Sequence, residues 1–169
     1  LRYPVKMLLS GSAVRITLDN FCGTEAVRIT AAYIAKAGTD SGIAEGTSLP
    51  LTFGGEPSAT IPAGARLRSD AADFAVNAGE TIAVSLYFAD FTELRSAVNI
   101  TGPLSGGYYA VGNYADAVQL PLDVSRKTNW VYFLSDIEVA AAHDSRAVIC
   151  YGDSITAQAW PDYLMLRTL

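Results

Sequence analysis

Through most of the first 140 residues, apolar and polar side chains alternate one for one. The pattern is clearest where Val14, Ile16 and Leu18 interleave with Arg15, Thr17 and Asp19, and it returns at Ile82, Val84, Leu86 and Phe88. A period of two puts one set of side chains on each face of a strand, so it predicts antiparallel strands with one face on a core and the other toward water. Further runs of strand character are residues 3–9, 26–35, 49–53, 59–61, 65–69, 117–120 and 131–139, punctuated by Gly, Pro, Asn and Asp. Short strands at this spacing predict a mainly β fold, a β-sandwich of jelly-roll type. Residues 31–36 are ambiguous, because alanine weakens the strand reading.

Composition narrows the function classes. A chain of 169 residues is one ordinary domain or two small pieces, long enough to bury a core without a metal or disulfide staple. Only 17 % of residues are charged and the net charge is −5, with cations scattered singly at Arg15, Arg28, Arg66 and Arg95. Without a basic run to track phosphates, nucleic acid is excluded as an expected partner. The longest apolar stretch, residues 81–89, stops at Asp90, well short of the ~18 residues that span a bilayer, so no membrane span is expected. The sequence opens at Leu1 without a basic region or cleavage pattern, so an export signal, if there is one, lies outside it. Cys22, in a turn-like setting, and Cys150, in an apolar run, fit separate thiols better than a disulfide framework.

After residue 144 the pattern changes. Ala147-Val148-Ile149-Cys150-Tyr151 is continuously apolar, which predicts a strand covered on both faces, as in a parallel sheet flanked by helices. Gly152-Asp153-Ser154 follows as a turn, and then a stretch fit for a helix, with Pro161 acceptable at its first position. Strand, turn and helix open an α/β domain. The expected division is therefore a β-sandwich over 1–144, a boundary near His143–Ser145, and the first βα unit of an incomplete domain over 145–169. A lone parallel strand leaves both edges unpaired, so its neighbours and cover are expected from another part of the same protein or from docking on the sandwich.

One motif carries chemistry. Ser154, in Gly152-Asp153-Ser154-Ile155-Thr156, sits where a nucleophile is presented: after a buried strand, before a helix, with Gly152 permitting a tight turn. The plainer reading is that Asp153 and Ser154 only turn the chain and cap the helix. The order of residues around the motif favours the first. With Trp160, Pro161 and Asp162 downstream, the stretch resembles the first block of the GDSL, or SGNH, serine hydrolases, in the bacterial carbohydrate-esterase-like branch. Upstream, residues 11–20, Leu51-Thr52-Phe53-Gly54-Gly55, Ile61-Pro62-Ala63-Gly64-Ala65, Ser69-Asp70 and Leu86-Tyr87-Phe88 look like the β-sandwich that precedes the hydrolase domain in that branch.

The resemblance implies a serine ester hydrolase that removes acyl groups, acetyl among them, from a small-molecule or polysaccharide ester, without a cofactor. Ser154 would be the nucleophile, its backbone N–H one donor of the oxyanion hole, with Gly152 and Asp153 supporting the turn. The family's glycine and asparagine oxyanion donors and its Asp-x-x-His block are not found in this sequence. They are expected from a C-terminal part of the same protein, and the chain alone is expected to be inactive.

His143 and Asp144 offer themselves as rival triad members, but a run of about five extended residues before Ser154 spans roughly 16 Å, too far for a base that must come within ~3 Å. Tyr108, Tyr109 and Tyr114, with Trp130, could stack on a sugar ring or form an aromatic lid beneath a Gly-rich loop. One His and two distant Cys give no zinc site. Asp70 with Asp73, or Asp19 with Asn20, could touch calcium but lack a dense oxygen loop. The competing function is a non-catalytic β-sandwich module for carbohydrate binding or domain interaction.

Overall fold

The computed structural model describes residues 1–88, 90–142 and 145–169. The expectations placed on His143 and Asp144 therefore fall outside the described residues. The chain is mainly β, with 40 % of residues in strands and 4 % in helix, and its sheets are antiparallel. In order the strands are β1 (Arg2–Lys6), β2 (Gly11–Asp19), β3 (Val27–Ile29), β4 (Ala31–Lys36), β5 (Leu49–Pro50), β6 (Ala59–Ile61) and β7 (Arg66–Arg68). Then come β8 (Thr81–Tyr87), β9 (Ala97–Asn99), β10 (Gly107–Ala110), β11 (Ser125–Thr128), β12 (Trp130–Tyr132) and β13 (Leu134–Ala141), and one helix, α1 (Trp160–Leu166).

A six-stranded sheet runs β11-β10-β1-β8-β4-β5, and a three-stranded sheet runs β13-β2-β7. Two ribbons, β12-β9 and β3-β6, complete the set. The inward residues of β2 (Val14, Ile16, Leu18), of β4 (Ala32, Ile34) and of β8 (Ile82, Val84, Leu86) meet in one core with Met7, Leu51, Phe74 and Phe133. Each such side chain larger than alanine contributes about 1.5–3 kcal/mol on leaving water, before entropy is counted, so the alternation that selects them is the main source of stability. Residues 31–36 resolve as strand β4, because pairing with β8 on one side and β5 on the other outweighs the weak propensity of alanine.

The central strand β8 departs from the half-buried expectation: Ala83 and Ser85, on the face away from the core, are buried as well. Arg2 explains the cover. Its side chain is 1 % exposed, with Nε donating to Ser85 Oγ at 2.9 Å and Nη1 to the Ser41 carbonyl at 2.7 Å. Nη2 donates to the carbonyls of Tyr114 (3.0 Å), Ala115 (3.2 Å) and Ala117 (2.8 Å). The guanidinium thus ties two loops down on the outer face of the sheet. Burial holds Arg2 below its ordinary pKa, while the nearby Asp116 carboxylate acts in the opposite sense. The strand expected at 117–120 does not form, since carbonyls that a ladder would use are turned toward Arg2 and Ala117 N–H closes a turn on the Tyr114 carbonyl.

Three other expectations are corrected. The single strand expected at 131–139 is two, because Phe133 adopts a left-handed φ of 62° and sends β12 to β9 but β13 to β2. That conformation is costly for a non-glycine residue. It is held by burial of the ring, 2 % exposed and 5.4 Å from Phe88, and by hydrogen bonds from Phe133 N–H to Ser96 and from Asp19 N–H to Phe133. The run 26–35 likewise divides, β3 pairing with β6 and β4 with β8. Residues 147–151 do not form the covered strand expected of them. Among the described residues no strand pairs with them, and Val148, Ile149 and Tyr151 are 67 %, 85 % and 96 % exposed. A strand exists only as part of a ladder, so an apolar run without a neighbour stays irregular.

Arg2 makes a direct test possible. Replacing it by Leu leaves four carbonyls and one hydroxyl without their donor, which is expected to cost more than about 3 kcal/mol and to lower Tm by roughly 6–12 °C. Thermal or urea unfolding followed by circular dichroism measures it, and an unchanged midpoint would show that water replaces the guanidinium at no cost.

Candidate active site

Ser154 lies on an exposed turn between the irregular run 147–151 and α1. Asp153 shapes that turn from both its side chain and its backbone. Its Oδ1 accepts the Ile155 N–H at 2.9 Å, and its carbonyl accepts the N–H groups of Thr156 (3.0 Å) and Ala157 (3.3 Å). An aspartate that bonds the backbone two residues on is a turn-forming arrangement, and here it presents the neighbouring Ser154 side chain outward. Gly152 does not take the left-handed backbone that a tight turn at glycine was expected to need; a Cβ there would stand 2.0 Å from Thr156 Oγ1 and would turn that hydroxyl aside. Among the described residues the Ser154 hydroxyl has no hydrogen-bond partner, so no base is in place to take its proton.

Downstream, Pro161 stands in the first turn of α1, where its missing N–H costs nothing, and Asp162 adds a negative charge at that end. Asp162 also reaches across 58 positions of sequence, its Oδ2 accepting the Leu104 N–H at 2.9 Å. The receiving turn is built for close approach. A Cβ on Gly102 would fall 1.9 Å from Asp162 Oδ2, and Ser105 N–H closes the turn on the Gly102 carbonyl at 3.1 Å.

The other sequence candidates are scattered or already engaged. Tyr108 and Tyr109 belong to strand β10 rather than to a loop lid, and β10 packs so tightly over Tyr3 that a Cβ on Gly107 would come within 2.4 Å of that ring. Trp130 and Tyr132, two apart on β12, stack at 6.4 Å with an interplanar angle of 18°. Asp70 spends both oxygens on its own neighbourhood, Oδ2 accepting from Thr52 Oγ1 (2.6 Å) and Gly55 N–H (2.7 Å), and Oδ1 from Gly54 N–H (3.0 Å). Asp19 is divided between Phe21 N–H and Arg66. Asn20 is wholly buried, its amide nitrogen serving the carbonyls of Glu25, Ile61 and Pro62, while its Oδ1 has no hydrogen-bond partner among the described residues. No group of three or more potential metal ligands occurs among the described residues. Cys22 and Cys150 are both free thiols.

A feature without a sequence signal is an apolar groove of about 730 Å³ between β1, the turn after β2, and strands β9, β12 and β13. Met7 and Phe133 are buried at it, while Leu8, Leu9, Phe21 and Val98 line it and remain exposed. Alternation marks which residues leave water, but the groove arises where residues distant in sequence stop short of closing the core, and Ser154 is not among those lining it. Among the described residues no helix is long and apolar enough to cross a membrane. Comparison with protein-family models finds no match, and neither does a search of curated proteins.

The Asp70 turn predicts a pH response. The Thr52 hydroxyl and the Gly55 and Gly54 N–H groups hold its carboxyl below the ordinary carboxylate range, against a smaller opposing effect of burial. A depressed carboxyl contributes stability that is fully present above its unfolded value of 3.8 and is lost as pH falls through the lower folded value. Asp70→Asn is therefore expected to lower stability at pH 6 and to flatten the acid limb of a Tm-versus-pH curve. A parallel acid limb in variant and parent would assign the pH dependence to other carboxylates, Glu80 first, whose carboxyl Lys36 also holds low.

Proposed function

We propose that this chain carries the nucleophile segment of a serine ester hydrolase of the GDSL, or SGNH, type, preceded by a β-sandwich, with Ser154 attacking the acyl carbonyl of a small-molecule or polysaccharide ester. The observation that carries the reading is the turn itself. Asp153 spends its carboxylate on the Ile155 N–H and its carbonyl on Thr156 and Ala157, so it organises the loop, while the Ser154 hydroxyl stands exposed on that turn, with residues 155–159 between it and a helix that has Pro161 in its first turn. A serine held outward by its own turn, with its backbone N–H beside it, is what acyl transfer needs of a nucleophile and of one oxyanion donor.

On this reading the remaining parts, a second and third oxyanion donor and the activating acid and histidine, come from sequence other than residues 1–169. His143 is not assigned as the base. In the reaction Ser154 Oγ would add to the carbonyl as the histidine takes its proton, the alcohol would leave with that proton, and water would release the acyl group by the reverse sequence. The N-terminal strands would then be the jelly-roll-like partner of the hydrolase unit.

The rival reading, a non-catalytic binding module, draws on the apolar groove and on the stacked Trp130 and Tyr132. The two separate experimentally. In the protein that contains this segment together with its acid and base, Ser154→Ala is expected to lower kcat on a simple aryl acetate by about a thousand-fold or more, with the fold retained, whereas His143→Ala leaves it within a few-fold. Turnover that survives Ser154→Ala with the fold intact would overturn the assignment.

A further inference from the structure

We propose that Asp162 is the positioning residue that seats the Ser154 turn on the β-rich part of the chain, and that the turn Gly102-Pro103-Leu104-Ser105 is its receptor. That Ser154 is the nucleophile so positioned rests on the function proposed above. The seat itself stands on contacts alone.

Apolar packing does not hold this segment. No residue of α1 is buried, and Trp160, Tyr163, Leu164 and Leu166 are all exposed, so the helix lies on the surface with little hydrophobic attachment. A seven-residue helix is also far below the length that is stable by itself in water. What connects it to the rest is a specific polar contact. The Asp162 carboxylate accepts the Leu104 N–H at 2.9 Å, a charge-assisted bond to a backbone donor in the middle of a tight turn. Pro103 suits the second position of that turn, where its fixed φ is already correct. The Ser105 side chain and N–H both close on the Gly102 carbonyl. Gly102 leaves the space that the carboxylate occupies, since any Cβ would stand 1.9 Å from Oδ2.

The seat lies a short stretch of chain from Ser154, folded in two consecutive pieces. Asp153 accepts Thr156 N–H (3.0 Å) and Ile155 accepts Gln158 N–H (3.2 Å), so 153–158 is folded turn upon turn; Ala159, the next residue, accepts Tyr163 N–H (3.2 Å) at the start of α1, where Asp162 stands. Releasing the carboxylate would free the start of α1 and, through the directly adjoining turns, the direction of the Ser154 hydroxyl, while the β-sheets keep their own core.

Nuclear magnetic resonance of the full chain tests the seat without reference to hydrolysis. Asp162→Ala is expected to speed exchange of the Leu104 amide by about tenfold and to shift the Trp160 indole resonance, with the unfolding midpoint of the β-rich part unchanged. Asp162→Asn, which keeps an acceptor oxygen, should stay within a few-fold of the parent. Gly102→Ala, which fills the space, should behave like Asp162→Ala, and the double variant should be no worse than either single one. Unchanged Leu104 exchange and an unmoved Trp160 resonance in Asp162→Ala would overturn the seat. In the protein that hydrolyses esters, Asp162→Ala should lower kcat about tenfold at unchanged KM and Asp162→Asn should restore it. An unaltered kcat alongside faster Leu104 exchange would overturn the positioning role while leaving the seat, and the assignment of Ser154 would still be decided by Ser154→Ala.

Discussion

A buried guanidinium organises this chain. Arg2 is a charged side chain at 1 % exposure, and among the described residues it forms no ion pair within 4 Å, its nearest compensation being four carbonyls and a hydroxyl. Such burial is tolerated only when the donors are matched, because an unsatisfied charge in a low dielectric costs several kcal/mol. Five bonds from one planar group fix the geometry of everything they touch. They place the loop around Ser41 and the loop 114–117 side by side over β8, and those loops then bond to each other, Ile43 N–H to Val118 and Gln119 Nε2 to Ser41 Oγ. Ala35, Ala83 and Ile43 pack as a small second core beneath this cover. The long core between the sheets could form without Arg2, but the outer face of the central sheet could not stay dry.

The sheet edges show a consistent means of avoiding further pairing. β5 is two residues long and includes Pro50, which has no N–H to offer. β7 flanks Leu67 with Arg66 and Arg68, and β11 carries Arg126 and Lys127. β13 carries Asp136 and Glu138, is interrupted by two register shifts, and sends Glu138 to Arg15 and Arg68. Short length, charge and bulges each discourage addition of a foreign strand. Residues 147–151 have none of these devices, which distinguishes them from the edges of the β-rich part: among the described residues they are a strand-forming sequence without a ladder.

Much of the strand pattern was legible, and the reason is local. Wherever an apolar residue recurs every second position and one face meets the core while the other stays more open, as in β2, sequence and structure agree, since a shift by one residue would expose the whole set; on β8 the same alternation marks the core-facing residues but not the burial of the opposite face. The short strands β9, β10 and β11 were not legible, for their pairing partners rather than their own three or four residues stabilise them: β9 with β12, and β10 between β1 and β11. Phe133 reads as an ordinary apolar strand residue, and nothing local announces the left-handed backbone that switches the chain between sheets. That conformation is held by partners distant in sequence: Phe88 beside the buried ring, Ser96 accepting the Phe133 N–H and Asp19 donating to the Phe133 carbonyl.

At the candidate site the division falls in the same way. The sequence alone pointed to a turn at Asp153 and Ser154 ahead of a helix, because an aspartate bonding its own backbone and a proline at a helix start act within a few residues; the turn itself runs over Ser154–Ala157 and leaves Gly152 outside it. Only the tertiary structure decided where that turn sits, through the bond of Asp162 to Leu104, which loops close over Arg2, and which strands leave an apolar groove. These depend on residues tens of positions apart meeting in space, and periodicity, which records only what a residue's immediate neighbours share, carries no information about such meetings.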